Sequence, residues 1–253
     1  MELKDKVIVV TGGGRGLGRA MALELADKGA KLALVDLNQA DLDETAGLCM
    51  EKGVEARTYT ANVANEAQVE QLFTDIARDF SAINGLVNNA GITRDGLFLK
   101  VKDGQVVGKM TMEQWNQVID VNLTGTFLCG REAAAKMIET GSEGCIINIS
   151  SISRSGNMGQ TNYTATKAAV EAMAVTWAKE LVRYGIRATS IAPGFIGTEM
   201  VMSMKPEALA KVEAMIPSKR LGKPEEIAKT VTFILENDYV NGRCIEVDGA
   251  LRL

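Results

Sequence analysis

The sequence predicts one α/β domain built on a doubly wound parallel sheet, and three observations carry that prediction. Short apolar runs alternate with helical stretches of ten or more residues from one end of the chain to the other. The runs lack the polar alternation of a sheet with one wet face, as parallel strands covered on both sides should. No internal repeat, low-complexity tract or Pro/Ser-rich linker divides the 253 residues, so 1–253 reads as a single domain.

The elements follow in order. Val7-Ile8-Val9-Val10 opens as a buried strand, and glycines lead from it into a helix over 17–28, closed by Gly29. Residues 31–36 form a second strand, 41–52 a second helix, 56–60 a third strand and 66–79 a third helix. A strand at 85–89 precedes a segment out of rhythm, 96–110, in which Asp103-Gly104 sits between two β-rich arms. That dipeptide is a two-residue turn signal, so an inserted hairpin projecting from the sheet edge is expected. One long helix is expected over 112–137, then a strand at 145–150, a helix at 163–184 and a strand at 186–191. After an irregular, Met-rich stretch come a helix at 224–235 and a last strand at 243–247.

Composition narrows the function. A net charge of −4 leaves no basic footprint for nucleic acid. The first residues lack the apolar core of a signal peptide, and no apolar run is long enough to span a membrane, so a cytoplasmic protein is expected. Cys49, Cys129, Cys145 and Cys244 lie far apart with no metal-type spacing, as free thiols in a reducing compartment would. The chain has no histidine, which removes Ser-His-Asp and Cys-His nucleophiles and the usual zinc hydrolase sites. Proton transfer falls to Tyr, Lys, Asp, Glu, Cys or water.

Thr11-Gly12-Gly13-Gly14-Arg15-Gly16-Leu17-Gly18 joins the first strand to the first helix. Glycines there permit a tight turn, close approach of a pyrophosphate and close helix–strand packing, and the helix N-terminus offers free N–H groups to phosphate. Asp36 ends the second strand, where a carboxylate can accept hydrogen bonds from adenosine ribose hydroxyls and repel a 2′-phosphate. Arg15 points the other way, since a guanidinium can pair with that phosphate. NAD(H) is favoured, with NADP(H) left open.

Tyr163-Thr-Ala-Thr-Lys167 opens a helix, and i, i+4 spacing puts the phenol and the ammonium on one face. A lysine cation favours phenolate, so the tyrosine pKa is expected to fall and suit the group to acid/base work at a carbonyl oxygen. The pair follows the strand that ends at Ser150-Ser151, on the side where open α/β sheets bind ligands.

Together with Asn88-Asn-Ala-Gly91, Asn122 and Pro193-Gly194, these motifs resemble the short-chain dehydrogenase/reductase family over the whole chain. Gly91-Ile-Thr-Arg-Asp95, Gly159-Gln-Thr-Asn-Tyr163, Ala192-Pro-Gly-Phe-Ile196 and Arg220-Leu-Gly222 are similar to its 3-oxoacyl-[acyl carrier protein] reductase branch. The resemblance implies a Rossmann-like seven-stranded sheet, a homotetramer and an oxidoreductase of fatty acid metabolism. It implies a catalytic tetrad of Asn122, a serine, Tyr163 as acid/base and Lys167, with Asn122 holding a water that relays protons. Ser151 is chosen from the strand's direction; counting thirteen back from Tyr163 gives Ser150 instead. Around the cofactor it implies Gly12, Arg15, Gly16, Leu17, Gly18, Asp36, Asn62, Val63, Asn89, Ala90, Gly91, Tyr163, Lys167, Pro193, Gly194, Ile196 and Thr198. No metal is implied.

The chain departs from the branch in three places. Residues 140–144 carry no Lys or Arg, and Arg183 stands one place earlier than expected, which weakens docking of an acidic acyl carrier protein unless Arg131, Arg154 or Arg187 serve. A CoA thioester, a free β-keto ester or another small ketone stays open. The hairpin at 96–110 is longer than the usual loop; it reads as a cover over the substrate entrance, an oligomer contact or a tolerated surface insertion. Met200, Met202, Met204 and Met215 fall in the substrate-covering segment 194–217, where thioethers suit varied apolar chains or fill a core. The rival readings are a secondary alcohol, polyol or hydroxysteroid dehydrogenase and, from another class, a non-catalytic dinucleotide-binding scaffold.

Overall fold

A computed structural model describes residues 1–203 and 205–253. Its elements run β1 (Val7–Thr11), α1 (Gly16–Asp27), β2 (Lys31–Asp36), α2 (Gln39–Glu51), β3 (Ala56–Thr60), α3 (Glu66–Phe80) and β4 (Gly85–Asn88). The hairpin strands β5 (Leu99–Lys102) and β6 (Gln105–Lys109) follow, then α4 (Met112–Val118), α5 (Gly125–Glu139), β7 (Gly144–Ile149) and α6 (Thr161–Leu181). The chain closes with β8 (Ile186–Pro193), α7 (Glu199–Met202), α8 (Pro206–Met215), α9 (Pro224–Glu236) and β9 (Cys244–Val247).

Seven strands form one sheet in the order β3-β2-β1-β4-β7-β8-β9, all parallel. The order reverses between β1 and β4, which opens a crevice beyond the carboxyl ends of the strands. Strand residues point alternately to the two faces. Ile8 and Val10 therefore join α1, α2 and α9 in one core through Met21, Leu25, Leu42, Ile227 and Val231. Val9 joins α3 and α5 in the other, through Val69, Phe73, Ile76, Leu128 and Met137. Two wet-faced helix layers on a sheet buried from both sides are what the uninterrupted apolar runs require.

The differences from the sequence reading have local causes. The helix expected over 112–137 is split by a π turn at Ile119–Thr124. There Asn122 is tied to a neighbouring loop, and Gly125 packs so closely on Val63 that a Cβ would lie 2.8 Å from the valine Cγ2. One extra residue in the turn meets both demands, as π bulges commonly do. α2 starts two residues early because Asn38 caps it, accepting from the Ala40 and Asp41 N–H groups at 3.0 and 3.3 Å. α6 ends at Leu181 and Val182–Tyr184 tighten into a 3-10 turn. The stretch left irregular contains α7 and α8, the latter started by Pro206. The hairpin forms at the expected place in the chain but follows β4, the central strand, rather than an edge strand; φ is positive at both Asp103 (49°) and Gly104 (75°), the backbone of a tight primed turn.

Among the described residues no helix is long and apolar enough to cross a membrane. The four cysteines are unpaired, and burial lifts their thiols to about 11 for Cys49, Cys145 and Cys244 and about 12 for Cys129.

Candidate active site

The crevice between β1 and β4 widens into a cavity of about 1160 Å³. Every site residue named from the sequence lines it except Gly18 and Asn122. Leu37, Asn38, Asp41, Ile92, Thr93, Val121, Glu199 and Val201 line it as well; Ile92 and Thr93 stand in the Gly91–Asp95 motif and Glu199 and Val201 in the segment 194–217, but none was named as a site residue.

At one end the glycine turn leaves β1. A Cβ on Gly12 would lie 2.8 Å from Asn89 Nδ2, and one on Gly18 would lie 1.9 Å from the Gly12 carbonyl oxygen. Gly18 thus acts from behind the wall, letting α1 sit against the turn. Arg15, the N-cap of α1, supplies no side-chain cap, so the first N–H groups of the helix stay open to the cavity. Asn89 braces the turn, donating from Nδ2 to the carbonyls of Thr11 (3.0 Å) and Gly12 (3.1 Å). The buried Thr11 hydroxyl, which sequence reasoning missed as a site group, accepts from the N–H groups of Asn89 and Ala90 at 3.0 and 3.1 Å.

Asp36 stands at the end of β2 with its carboxylate folded over the turn. Gly14 N–H donates to Oδ2 at 3.1 Å and Leu37 N–H to Oδ1 at 2.7 Å. The Arg15 guanidinium, mostly exposed, lies 4.0 Å from Asp41 Oδ2. The cation that argued for a 2′-phosphate therefore already has an anion beside it.

At the other end stand Ser150, Ser151, Tyr163 and Lys167. The two serines have different surroundings. Ser150 is buried, and its hydroxyl donates to the Lys167 carbonyl oxygen at 2.7 Å. Ser151 Oγ accepts from Ser153 N–H at 3.1 Å, and the side chain lies close enough to Tyr163 to lower the phenol's pKa. With an acceptor site filled by Ser153, the Ser151 O–H is left to donate toward the phenol and the cavity. A short 3-10 turn at Ile152–Ser155 makes this arrangement, and Thr164 Oγ1 pins it to α6 by donating to the Ser153 carbonyl at 2.8 Å.

Lys167 is almost wholly buried and its Nζ donates to the Ile149 carbonyl at 2.7 Å. Burial pushes its pKa down to about 8. The Tyr163 pKa lies above its ordinary value, not below it as the spacing suggested. Burial raises it, the nearby Ser151 side chain lowers it less, and the Asp95 carboxylate raises it further. The ammonium is aimed at Ile149, 5.4 Å from the phenol ring centroid, so it does not offset the desolvation.

Asn122 lies just behind the cavity on the π turn. Its Oδ1 accepts from Ile92 N–H at 2.8 Å and its Nδ2 donates to the Ile92 carbonyl at 2.9 Å. Those two bonds fix Gly91, whose Cβ would lie 3.3 Å from Asn122 Oδ1 and 3.7 Å from Lys167 Nζ. Beneath the site Asn88 donates to Asn148 (2.9 Å), which donates to the Val170 carbonyl (3.0 Å), a buried link from β4 through β7 to α6. Of the methionines, Met202 and Met215 are exposed and neither lines the cavity, so they serve neither as pocket wall nor as core. Met204 lies outside the described residues, as does the Met200 side chain.

The cavity fits a dinucleotide: a glycine turn that no Cβ tolerates, an uncapped helix N-terminus, and a carboxylate at the end of the neighbouring strand. With Ser-Tyr-Lys at the far end, fold and site are those of a nicotinamide-dependent oxidoreductase. The chain belongs to the short-chain dehydrogenase/reductase family. A family model described as enoyl-(acyl carrier protein) reductase matches residues 12–251. The chain is 40% identical to a (3R)-3-hydroxyacyl-CoA dehydrogenase of Canis lupus familiaris, covering 99% of this chain and 98% of that protein. It is 41% identical to a 3-oxoacyl-[acyl-carrier-protein] reductase of Synechocystis, covering 98% of each. The crystal structure of levodione reductase superposes with a TM-score of 0.89 at 36% identity, over 98% of this chain and 97% of that one. The resemblance drawn from motifs thus holds over the full length.

Proposed function

We propose that the protein reduces a 3-oxoacyl thioester to the 3-hydroxyacyl form with NADH, and runs the reverse oxidation. The observation that carries the reading is the convergence of the Ser151 and Tyr163 hydroxyls beside Lys167 in the same cavity as the glycine turn. The names of the dog and Synechocystis relatives support the substrate class.

When bound, the nicotinamide ring donates or accepts the hydride at the carbonyl carbon. The protein's own groups handle the oxygen. Ser151 donates a hydrogen bond to it and holds it in line, as an oxyanion donor does. Tyr163, kept protonated by its raised pKa, gives its proton to the oxygen in reduction and takes it back in oxidation. Lys167, at a pKa of about 8, is mainly an ammonium at neutral pH; it binds the nicotinamide ribose and holds positive charge beside the phenol. Asn122 keeps Gly91 and Ile92 at their distance from Lys167. Ser150 is a structural hydroxyl.

Asp36 over Gly14, with the Asp41 carboxylate near Arg15, supports NAD(H) over NADP(H). Ala61, Asn62 and Val63 would face the adenine, Asn89 to Gly91 the adenosine side, and Pro193, Gly194, Ile196 and Thr198 the nicotinamide. The setting this reading implies is a homotetramer acting in cytoplasmic fatty acid metabolism. The likeness to levodione reductase favours a second reading, reduction of a small ketone. The experiment is to follow absorbance of reduced nicotinamide with acetoacetyl-CoA, using NADH and NADPH in turn, with Tyr163→Phe as control. NADH oxidation lost in the variant is expected. A rate greater with NADPH refutes the Asp36 argument, and an active Tyr163→Phe refutes the tyrosine one.

A further inference from the structure

The hairpin carries the largest collection of exposed apolar side chains in the described protein. Leu97, Phe98, Leu99, Val101, Val106 and Val107 are all between 45% and 68% exposed. Isolated two-stranded hairpins gain little stability on their own, and contiguous apolar surface of this kind marks a binding site. The same strands carry Lys100, Lys102 and Lys109 against a single acid, Asp103. The three lysines are exposed, and no hydrogen bond or ion pair engages their ammonium groups among the described residues. Lys100 and Lys102 share one face of the ladder and Lys109, opposite Leu99, the other; three unpaired cations on so small an arm of a chain of net charge −4 are a local anion attractor.

The base of the hairpin is fastened to the segment that leads into Tyr163. Gly96 N–H donates to the Gly159 carbonyl at 2.8 Å, Gln160 Nε2 to the Asp95 carboxylate at 3.1 Å, and Asn162 Nδ2 to the Arg94 carbonyl at 3.0 Å. Met158, 87% exposed, stands next to that junction. Going outward from Tyr163, the chain presents Met158 and Leu97-Phe98 first, and then the strands with their lysines. Lys109 stands across from Leu99 at the base of the ladder and Lys102 across from Gln105 beside the turn, so at about 3.3 Å per residue the charge is spread over about 10 Å of the arm.

We infer that the hairpin is the docking arm for the phosphorylated nucleotide of a CoA thioester: Leu97, Phe98 and Met158 meet the pantetheine, and Lys100, Lys102 and Lys109 meet the phosphates. A CoA thioester has the same order of parts, from a reacting carbonyl through an apolar arm to several negative charges. The inference rests on the thioester reading above and adds which carrier the site takes. It also accounts for basic residues missing at 140–144, because the charge recognition sits elsewhere.

The test uses the full chain and the variant Lys100→Gln/Lys102→Gln/Lys109→Gln. Binding of CoA itself is read by calorimetry, and KM is measured for acetoacetyl-CoA and for ethyl acetoacetate, which has no phosphates. The expected result is at least tenfold weaker CoA binding and a tenfold higher KM for acetoacetyl-CoA. The KM for ethyl acetoacetate should move less than twofold, and wild-type affinity for CoA should weaken with salt. Equal CoA affinity in both proteins overturns the inference. So does a change in native mass with equal shifts for both substrates, which would make the hairpin a contact between copies. A wild type that binds CoA through these lysines yet reduces neither substrate would refute the reductase reading and leave the docking arm standing.

Discussion

Replacing Lys167 by methionine should abolish activity and change how stability depends on pH. The ammonium is buried and its pKa lies at about 8, against an ordinary value of 10.5. The unfolded chain therefore holds a proton between pH 8 and 10.5 that the folded chain has lost, and stability rises with pH across that window. At 1.36 kcal/mol per pKa unit, the charged lysine costs the fold about 3 kcal/mol below pH 8. Methionine removes this cost but leaves the Ile149 carbonyl without its donor, at about 1–3 kcal/mol. The two nearly cancel at pH 7, where the variant should be as stable as the wild type or more so. By pH 10.5 the wild type should have gained about 3 kcal/mol on the variant, because its lysine is then largely neutral. Urea denaturation of both proteins at pH 7 and pH 10 measures this difference, and other titrating groups cancel in the comparison. A stability difference that stays constant between the two pH values would refute the buried-ammonium argument. Full activity in the variant would refute the role given to the lysine.

Three further substitutions test the geometry. Ser151→Ala should lower kcat about a hundredfold, the scale of one donor to a developing oxyanion, whereas Ser150→Ala should cost about 1 kcal/mol of stability with kcat nearly unchanged; the reverse pattern in steady-state rates would exchange their roles. Gly18→Ala places a Cβ 1.9 Å from the Gly12 carbonyl oxygen, so α1 must shift off the turn and fluorescence titration should show NADH binding weakened at least tenfold; unchanged affinity would mean the turn has slack. Arg154 donates to the Ser151 carbonyl and ion-pairs with Glu171 of α6, at 2.5 Å, and with Glu246 of β9. Arg154→Ala should lower kcat with NADH affinity intact and Arg154→Lys should restore part of it, while an unaltered kcat in Arg154→Ala would show that the serine turn holds itself.

The sheet was legible in the sequence because its strands are buried on both faces. Val7–Thr11 and Gly144–Ile149 have no exposed residue, and their apolar runs say so directly. The nucleotide end was legible for a related reason: glycines without room for a Cβ and an acid at a strand end are local requirements, written in adjacent residues. What escaped depends on distant partners. The π turn at Ile119–Thr124 answers to Ile92 and Val63, about thirty and sixty residues away, and no periodicity announces it. Thr11 opened the glycine turn with no role of its own, yet its hydroxyl organises Asn89 and Ala90. The Tyr163 pKa was misjudged because i, i+4 spacing places Lys167 near the phenol but does not say where the ammonium points; the Ile149 carbonyl decides that.

The π turn also changes the phase of the helix that contains it. Each residue of an α-helix advances about 100° around the axis, so one surplus residue sets α5 that far out of step with α4. The residues before Asn122 and those after it obey two different helical wheels, and a single wheel drawn through 112–139 misassigns the inward face of one half. Deleting one residue from Ile119–Thr124 would bring the halves back into step and carry the Asn122 amide away from Ile92. Alignments that slip by one place at this turn thus describe a different active-site wall, even where every motif on either side still matches.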